Sequence, residues 1–445
     1  MDRSRRIASW VLFSAAAAPP LAIAFLVARY ARNVPWKDQW GVVPFVVAVG
    51  HGDVRPGMLW AQVNEHRIPV ALALQGMLAW WTRWDVRYEA WLDVVLAALT
   101  VLTLAGLVRR TIGRRAPVIG AIVTLGCSIV TCSPTGGINW TWGAMLPAYL
   151  AALAATVLAW QLAAWTGRWP RTIALVACAT AGALSFGAGV VLVVLLPLAL
   201  VLMPSVPLGR RIAHAIATTA WAVALILVYF VGWRPRVGEP QPVMHWDRLD
   251  DYVRYAVTYA GAGITTFDLD QGLVTGLVLC VVLALSSGWL WRRPELRAAV
   301  VPWWLLAAYS AVNAAITAFG RLDNGLFTAL FVRYLPTASF FLMATMALAA
   351  LATSTLWHVS QRAGAAATSL LVFGLATATP TYVHTARKAI ENMGVLALQL
   401  EAGAACLPAC DTAADDCLLL MCWSAGVARQ MCPLMAAAKI GPFAP

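Results

Sequence analysis

Residues 30–68 form a polar segment that carries the side chains best suited to chemistry, namely Asp38, Glu65, His66 and Arg67. A partly desolvated carboxylate can take a proton from a hydroxyl, and an imidazole beside a carboxylate can share acid–base work. A guanidinium matches the geometry of a phosphate through its planar fork. The segment directly follows the first long apolar run of the chain, and ionisable groups at such a helix end usually serve function.

Asp38 also has a structural interpretation. It could pair with Lys37 or Arg32, or cap a short helix beginning at Trp40. The sequence favours a functional role for Asp38, as the catalytic base, over this alternative.

Glu65 and His66 could complete an acid–base site or bind a divalent cation, since carboxylate and imidazole are both metal ligands. The structural alternative is a polar helix end in which Glu65 and Arg67 are satisfied by their neighbours. A divalent cation is therefore a possible cofactor, and no residue is assigned to a metal site.

The composition identifies an integral membrane protein. Of the 445 residues, 61% are hydrophobic and only 12% are charged, whereas soluble domains carry about 25% charged residues. The net charge of +12 is explained by arginines at cytoplasmic helix ends, and no nucleic-acid-binding motif accompanies it. The first apolar run is long enough to span a bilayer, so we expect it to be retained rather than cleaved.

About eleven spans are expected from runs of ~20 apolar residues. The run 172–203 is too long for one span, and its Ser185–Gly189 stretch predicts the turn of a hairpin of two short helices. The remaining runs are 7–29, 88–108, 117–132, 143–166, 211–232, 271–291, 299–319, 334–356 and 364–380.

Charge distribution gives the orientation. With the N-terminus in the cytoplasm, the inner loops hold 15 of the 32 basic residues but only Asp2 and Glu295 of the 20 acidic ones. Residues 30–87 then form the first outer loop. Within it, 42–50 and 69–84 are too short to cross and predict helices lying at the membrane interface.

The outer side also offers cations and aromatic rings. Arg333, Arg321 and Arg67 are candidates for binding phosphate, with Tyr334 beside the first of them. The alternative for Arg333 is a membrane-interface anchor whose charged end reaches the aqueous boundary.

A second large outer loop, 233–270, contains His245, Trp246 and Asp247. Together with Trp40, these residues suit binding of a sugar or an acceptor. The alternative is an interfacial aromatic belt, which is the commoner role of Trp in membrane proteins.

Residues 381–445 are expected to form a small extracytoplasmic tail after a transmembrane domain spanning 1–380. The tail holds five of the nine cysteines, at 406, 410, 417, 422 and 432. An exported compartment permits disulfides, so two pairs and one leftover thiol are expected, with the pairing left open. The spacings match no zinc site.

The layout resembles the GT-C superfamily of integral membrane glycosyltransferases, such as the protein O-mannosyltransferases and the aminoarabinose transferases of lipid A. Lys37-Asp38-Gln39-Trp40 stands at the outer end of the first span, where that superfamily has an essential Asp or Asp-Glu pair. The segment Asn64–Pro69 precedes an apolar helix, where such enzymes often have a His-Pro-Pro-like motif. The elements Asp38-x-Trp40, Asn64-Glu-His-Arg67 and Arg333-Tyr334 resemble motifs of a large group of bacterial membrane proteins. Gln39 departs from the pattern of two acids.

The resemblance implies an all-α polytopic fold in the bacterial cytoplasmic membrane. It also implies transfer of a sugar from a polyprenyl-phosphate donor to a lipid, glycan or protein acceptor of the cell envelope. Asp38, His66 and Arg333 should then line one outward-facing cavity that opens to lipid. The alternatives are a flippase or transporter of lipid-linked sugars, a sugar-polymer ligase, and a non-catalytic membrane protein. The neutral character of most polar residues within the spans disfavours transport.

Overall fold

Helices form nearly all of the regular structure in the computed structural model, which describes residues 3–235 and 243–444. The first nine are α1 (Arg3–Ala15), α2 (Ala18–Tyr30), α3 (Val43–His51), α4 (Pro56–Leu59), α5 (Pro69–Thr82), α6 (Arg87–Val108), α7 (Pro117–Thr131), α8 (Leu146–Leu162) and α9 (Trp169–Ala183). The others are α10 (Val190–Leu202), α11 (Leu208–Phe230), α12 (Leu249–Gly261), α13 (Leu269–Trp291), α14 (Pro294–Arg321), α15 (Leu335–Val359), α16 (Gln361–Ala404), α17 (Asp415–Leu419) and α18 (Ala425–Ala438). Strands β1 (Gln62–Val63) and β2 (His66–Arg67) pair antiparallel.

The protein is an all-α polytopic membrane protein, as expected. Within the described residues, eight helices are long and apolar enough to cross a membrane, or up to nine if the bent pair 117–141 is one span. The expected count of about eleven is reached if the bent pair is one span and the shorter helices α9 and α10, of 15 and 13 residues, are counted as spans as well.

The turn between α9 and α10 lies at the predicted position. Gly189 packs so closely on α9 that a Cβ atom there would collide with the carbonyl oxygen of Gly182. The Ser185 hydroxyl donates to the carbonyl of Ala181 at 2.6 Å and closes the end of α9. The hairpin therefore depends on a glycine that lets its two helices approach each other.

The predicted first outer loop, residues 30–87, contains α3 and α5, the two short helices that its sequence predicts. Their 9 and 14 residues reach at most ~21 Å, less than the ~30 Å of a bilayer core. Trp80 and Trp81 are exposed at the end of α5, which suits contact with the membrane interface.

Helix α16 is continuous over 44 residues, so the expected boundary at 380 falls inside it. Its last turns and the following segment return to the first outer loop. Arg32 pairs with Glu401 at 2.5 Å, and the Lys37 amide donates to the carbonyl of Met421 at 2.7 Å. The chain after 404 thus packs on the turn that carries Asp38.

Within the predicted second outer loop, residues 249–261 form α12. Tyr255 and Tyr259 of this helix are fully buried against the segment that joins α14 to α15. Residues 236–242 of this loop lie outside the described part of the chain. Helix α12 therefore closes one side of the region in which Arg321 and Arg333 lie.

Candidate active site

The turn at Asp38 is built from a short 3₁₀ segment, Lys37–Val42. The side chain of Gln39 accepts the amide of Trp36 at 3.1 Å, which closes the turn. Lys37 has a φ of +47°, a conformation uncommon for a residue other than glycine. Asp38 is partly buried at the start of this segment.

The two basic neighbours proposed as alternative partners of Asp38 are engaged elsewhere. Arg32 pairs with Glu401, and the ammonium of Lys37 lies 4.6 Å from the ring centroid of Trp36. The helix cap at this turn is supplied by Gln39. The structure therefore gives Asp38 neither of its expected ion pairs nor the capping role.

Glu65 and His66 lie on the β-hairpin, where Asn64 has the positive φ of +51° that its tight turn requires. Arg321, the last residue of α14, donates from its guanidinium to Glu65 at 2.8 Å. The indole of Trp233 donates to the Glu65 carbonyl at 3.1 Å. The hairpin is thus held to the end of α14 and to Trp233 through Glu65.

His66 occupies a narrow space between the hairpin and the turn that precedes α10. Its ring centroid lies 4.7 Å from that of Phe186. A Cβ atom at Gly187 would collide with the imidazole Nδ1. Only glycine at 187 therefore admits the ring in this position.

The electrostatic surroundings of His66 show which groups converge on it. Burial lowers its pKa below the ordinary 6.5; the carboxylates of Glu65 and Asp38 oppose this, and the guanidinium of Arg321 reinforces it. The imidazole is therefore neutral at pH 7 and can accept a proton. Asp38, Glu65 and Arg321 therefore all lie close enough to His66 to act on its charge.

Arg333 lies in the short turn Val332–Tyr334, just before α15. Its Cζ lies 5.1 Å from the ring centroids of both Phe331 and Tyr334. Its Nε is buried and, among the residues that the structure describes, has no hydrogen-bond partner. A buried guanidinium nitrogen without a partner is costly unless something else accepts its hydrogen.

Tyr255 connects Arg333 to Arg321. Its hydroxyl accepts a hydrogen bond from Thr328 at 3.1 Å. Burial raises the pKa of Tyr255, and the positive charges of Arg333 and Arg321 both act against that rise. Both guanidiniums therefore lie close enough to Tyr255 to act on its pKa, and Arg321 also acts on the pKa of His66.

Two other predicted site residues are engaged in packing. Trp40 is 0% exposed, and its indole donates to the carbonyl of Pro35 at 2.9 Å, so it has no open face for a sugar. The guanidinium of Arg67 donates to three backbone carbonyls, those of Trp60, Tyr229 and Val231, at 2.6–2.7 Å.

The remaining predicted site residues are Tyr334 and the three residues His245, Trp246 and Asp247, which precede α12. The Tyr334 ring is 5.8 Å from that of Tyr259. His245 lies 3.8 Å from Asp323, two residues beyond Arg321. Trp246 is 76% exposed, and Asp247 is exposed beside it. These side chains are on the surface and are not in contact with the His66 cluster.

Gln39 stands where the GT-C pattern often has a second acid, and its side chain forms a hydrogen bond with the buried acid Glu89. Its amide donates to Glu89 at 2.8 Å, and the indole of Trp84 donates to the other carboxylate oxygen at 3.0 Å. Asp93, one turn further along α6, is 0% exposed, and both of its oxygens lack a hydrogen-bond partner among the described residues. Both acids are inside the bundle rather than at its mouth.

The sequence indicates Tyr255 only as one of the aromatic residues of the loop 233–270, and Asn139 only as part of an uncharged loop. Asn139 donates to the carbonyl of Val332 at 2.5 Å and so fixes the turn that carries Arg333. The spacing of the tyrosines at 252, 255 and 259 is that of one helix face, and was the available signal for Tyr255.

No group of three or more His, Cys, Asp or Glu side chains within the described residues is arranged to hold a metal ion.

No protein-family model matches the chain, and no curated protein matches it. Among solved structures it is similar to the oligosaccharyltransferase of Archaeoglobus fulgidus in complex with zinc and sulfate, with 13% sequence identity and a TM-score of 0.42. The similarity covers 84% of this chain and 53% of the archaeal protein, so the chain spans about half the length of that protein.

Proposed function

We propose that the protein is a glycosyltransferase that moves a sugar from a polyprenyl-phosphate donor to an acceptor on the outer face of the bacterial cytoplasmic membrane. The observation that carries the proposal is the ion pair between Arg321 and Glu65 next to a neutral His66, on whose pKa the carboxylate of Asp38 also acts. Acids, a proton acceptor and a cation are the groups that such a transfer requires.

Asp38 is proposed as the base. Its carboxylate takes the proton of the acceptor hydroxyl while the acceptor oxygen forms a bond to the anomeric carbon of the sugar. The bond between that carbon and the phosphate oxygen breaks, and the phosphate leaves with the electron pair on its lipid. His66, which is neutral at pH 7, and Glu65 orient the acceptor next to the Asp38 carboxylate.

Arg333 and Arg321 are proposed to bind the departing phosphate, with Tyr334 beside them. The buried and unpartnered Nε of Arg333 supports this role, because a phosphate oxygen would satisfy it. Arg67 is left out of the proposed site because three backbone carbonyls already engage its guanidinium. Trp40 is left out because it is fully buried.

The acceptor is proposed to approach past His245, Trp246 and Asp247, which lie on the surface next to Asp323 and Arg321. An exposed indole beside a carboxylate suits contact with a sugar or another hydroxyl-bearing group. The proposed orientation places these residues and the tail outside the cytoplasm, with the N-terminus inside.

The test is a transfer assay with polyprenyl-phosphate-linked sugars and the purified full-length protein. Asp38→Asn keeps the shape of the side chain but removes the base, so transfer should fall by about 100-fold or more. Asp53→Asn is the matched control, because Asp53 is an exposed acid of the same loop. Equal transfer by wild type and Asp38→Asn would remove Asp38 from the mechanism, and lipid movement without transfer would favour a flippase.

A further inference from the structure

Helices α9 and α11 begin next to each other, at the end of the bundle that is expected to face the cytoplasm. His214 of α11 joins them. Its imidazole lies 3.1 Å from the Thr172 hydroxyl of α9 and 3.0 Å from the carbonyl oxygen of Gly167, both hydrogen-bond distances. The ring also packs on Trp169, with 4.2 Å between the ring centroids. The starts of the two helices are therefore fixed side by side.

Four arginines lie at these two helix starts and are called here the inner arginine patch: Arg168, Arg171, Arg210 and Arg211. Arg171 and Arg211 donate to backbone carbonyls, those of Ala164 and Val201. The Nε of Arg211 is buried and has no hydrogen-bond partner in the described part of the chain. None of the ion pairs between described residues involves the patch. Its four positive charges therefore have no carboxylate partner among those residues.

The two helix starts add positive potential of their own. The free amide groups of the first turn and the helix macrodipole give such a start a partial positive charge. Neither α9 nor α11 has a side-chain cap or an acidic residue in its first turn. Cations at this end of a helix are unfavourable unless an anion lies nearby. The patch and the two uncapped helix starts thus favour an anion supplied from outside the chain.

Exposed apolar side chains continue from the patch along the same two helices. Trp169 is 52% exposed, and Ile173 of α9 is exposed as well. Leu208, Ile212 and Ile216 are exposed and lie one turn apart on one face of α11, which is long and apolar enough to span a membrane. An indole beside arginines at a helix end is typical of the level of lipid headgroups. The surface next to the patch therefore suits acyl chains.

We propose that the inner arginine patch binds the headgroup phosphate of an anionic phospholipid, whose acyl chains lie along the exposed apolar faces of α9 and α11. A guanidinium matches the geometry of a phosphate, and basic pockets between transmembrane helices on the cytoplasmic side suit such headgroups. A lipid phosphate is favoured over a free phosphate because apolar side chains directly adjoin the arginines. The inference uses the proposed orientation of the protein but does not depend on sugar transfer.

The experiment measures binding of phosphatidylglycerol to the purified full-length protein in a non-ionic detergent, with native mass spectrometry as the readout. Phosphatidylcholine with the same acyl chains is the comparison lipid, because its headgroup has no net charge. A basic residue near an anionic headgroup is worth about 5-fold in affinity. Wild type should therefore prefer phosphatidylglycerol by at least about 10-fold, and Arg168→Gln combined with Arg210→Gln should weaken that binding by about 30-fold.

The matched control is Arg292→Gln combined with Arg362→Gln. It removes two exposed arginines from the same expected side of the membrane, but at the ends of other helices. This control should bind phosphatidylglycerol like the wild type. Arg168→Lys combined with Arg210→Lys keeps both charges and should lose less affinity than the glutamine pair.

Equal affinities of the wild type for the two lipids would overturn the inference. Equal losses in the glutamine pair and in its control would also overturn it, because they would indicate a diffuse effect of charge. Displacement of the lipid by an equal concentration of glycerol phosphate would show that the patch takes a free phosphate instead. If a variant does not accumulate, the comparison of the two lipids on the wild type still decides. The readout is a mass, so its failure leaves the proposed function untouched.

Discussion

The guanidinium of Arg321 donates to the carboxylate of Glu65 at 2.8 Å, across 256 residues of sequence. This ion pair joins the end of α14 to the β-hairpin of the first outer loop. Both charges act on the imidazole of His66: the carboxylate of Glu65 raises its pKa, and the guanidinium of Arg321 lowers it. The same arginine also lies near the hydroxyl of Tyr255 and so near Arg333.

The first prediction concerns the pH profile of transfer. Removing the charge of Glu65 with Glu65→Gln should lower the pKa of His66 further, because the carboxylate stabilises the protonated ring. Arg321→Gln should raise that pKa, because it removes a repelling positive charge. The acid side of the pH–rate profile should therefore move to lower pH in the first variant and to higher pH in the second.

The opposite directions of these shifts separate an electrostatic effect from a general loss of structure. Glu391→Gln is the matched control, since Glu391 forms an exposed ion pair with Arg387. Shifts in the same direction in both variants would contradict the assigned surroundings of His66.

A second prediction concerns the pH dependence of folding. The lowered pKa of His66 means that the unfolded chain binds this proton first as the pH falls through 6.5. The free energy of unfolding should therefore decrease from about pH 6.5 down to the lower pKa of the folded protein and then stop changing on this account. His66→Gln should remove this component from unfolding curves measured in detergent, and an unaltered slope would contradict it.

A third prediction tests the close approach at Gly187. Gly187→Ala would push a methyl group into the imidazole of His66, and a displacement of about 1 Å can reduce a rate by about 100-fold. The control is Gly57→Ala, in the same predicted outer loop as His66. The Cβ position of Gly57 has open space around it, so this variant should leave transfer unchanged. Equal rates for the two variants would show that the position of His66 is unimportant.

A fourth prediction concerns the arginine near the proposed phosphate. Arg333→Lys keeps the charge but loses the fork that binds two oxygens at once. The KM for a polyprenyl-phosphate donor should rise by about 10- to 100-fold, as expected for a lost charged hydrogen bond of about 1.5–3 kcal/mol. Arg387→Lys, which is far more exposed, should have no such effect.

A fifth prediction concerns the contribution of Gln39 to the free energy of unfolding. Gln39→Ala would leave one oxygen of the buried Glu89 without its donor. The free energy of unfolding should fall by about 1–3 kcal/mol, measured by thermal unfolding in detergent. Gln271→Ala, at an exposed position, should unfold like the wild type, and an equal loss in both variants would contradict a specific role for Gln39.

The amino-acid sequence alone determined the membrane class, the positions of the helices and the hairpin turn at 185–189. These features depend on local apolar length and on turn residues, and both are properties of short stretches. The same local patterns indicated the two short helices of the first outer loop. They also picked out Asp38, Glu65 and His66 as side chains close to one helix end.

Only the tertiary structure decided which cations meet those acids and which candidates are buried. Arg321 reaches Glu65 because α14 ends beside the hairpin, whereas Arg67, next to His66 in sequence, turns toward backbone carbonyls. Trp40, two residues from Asp38, is fully buried, because each residue of a 3₁₀ segment is turned by about 120° from the next and the two side chains face different surroundings. Pairing across hundreds of residues depends on how helices pack, and no local pattern carries that information.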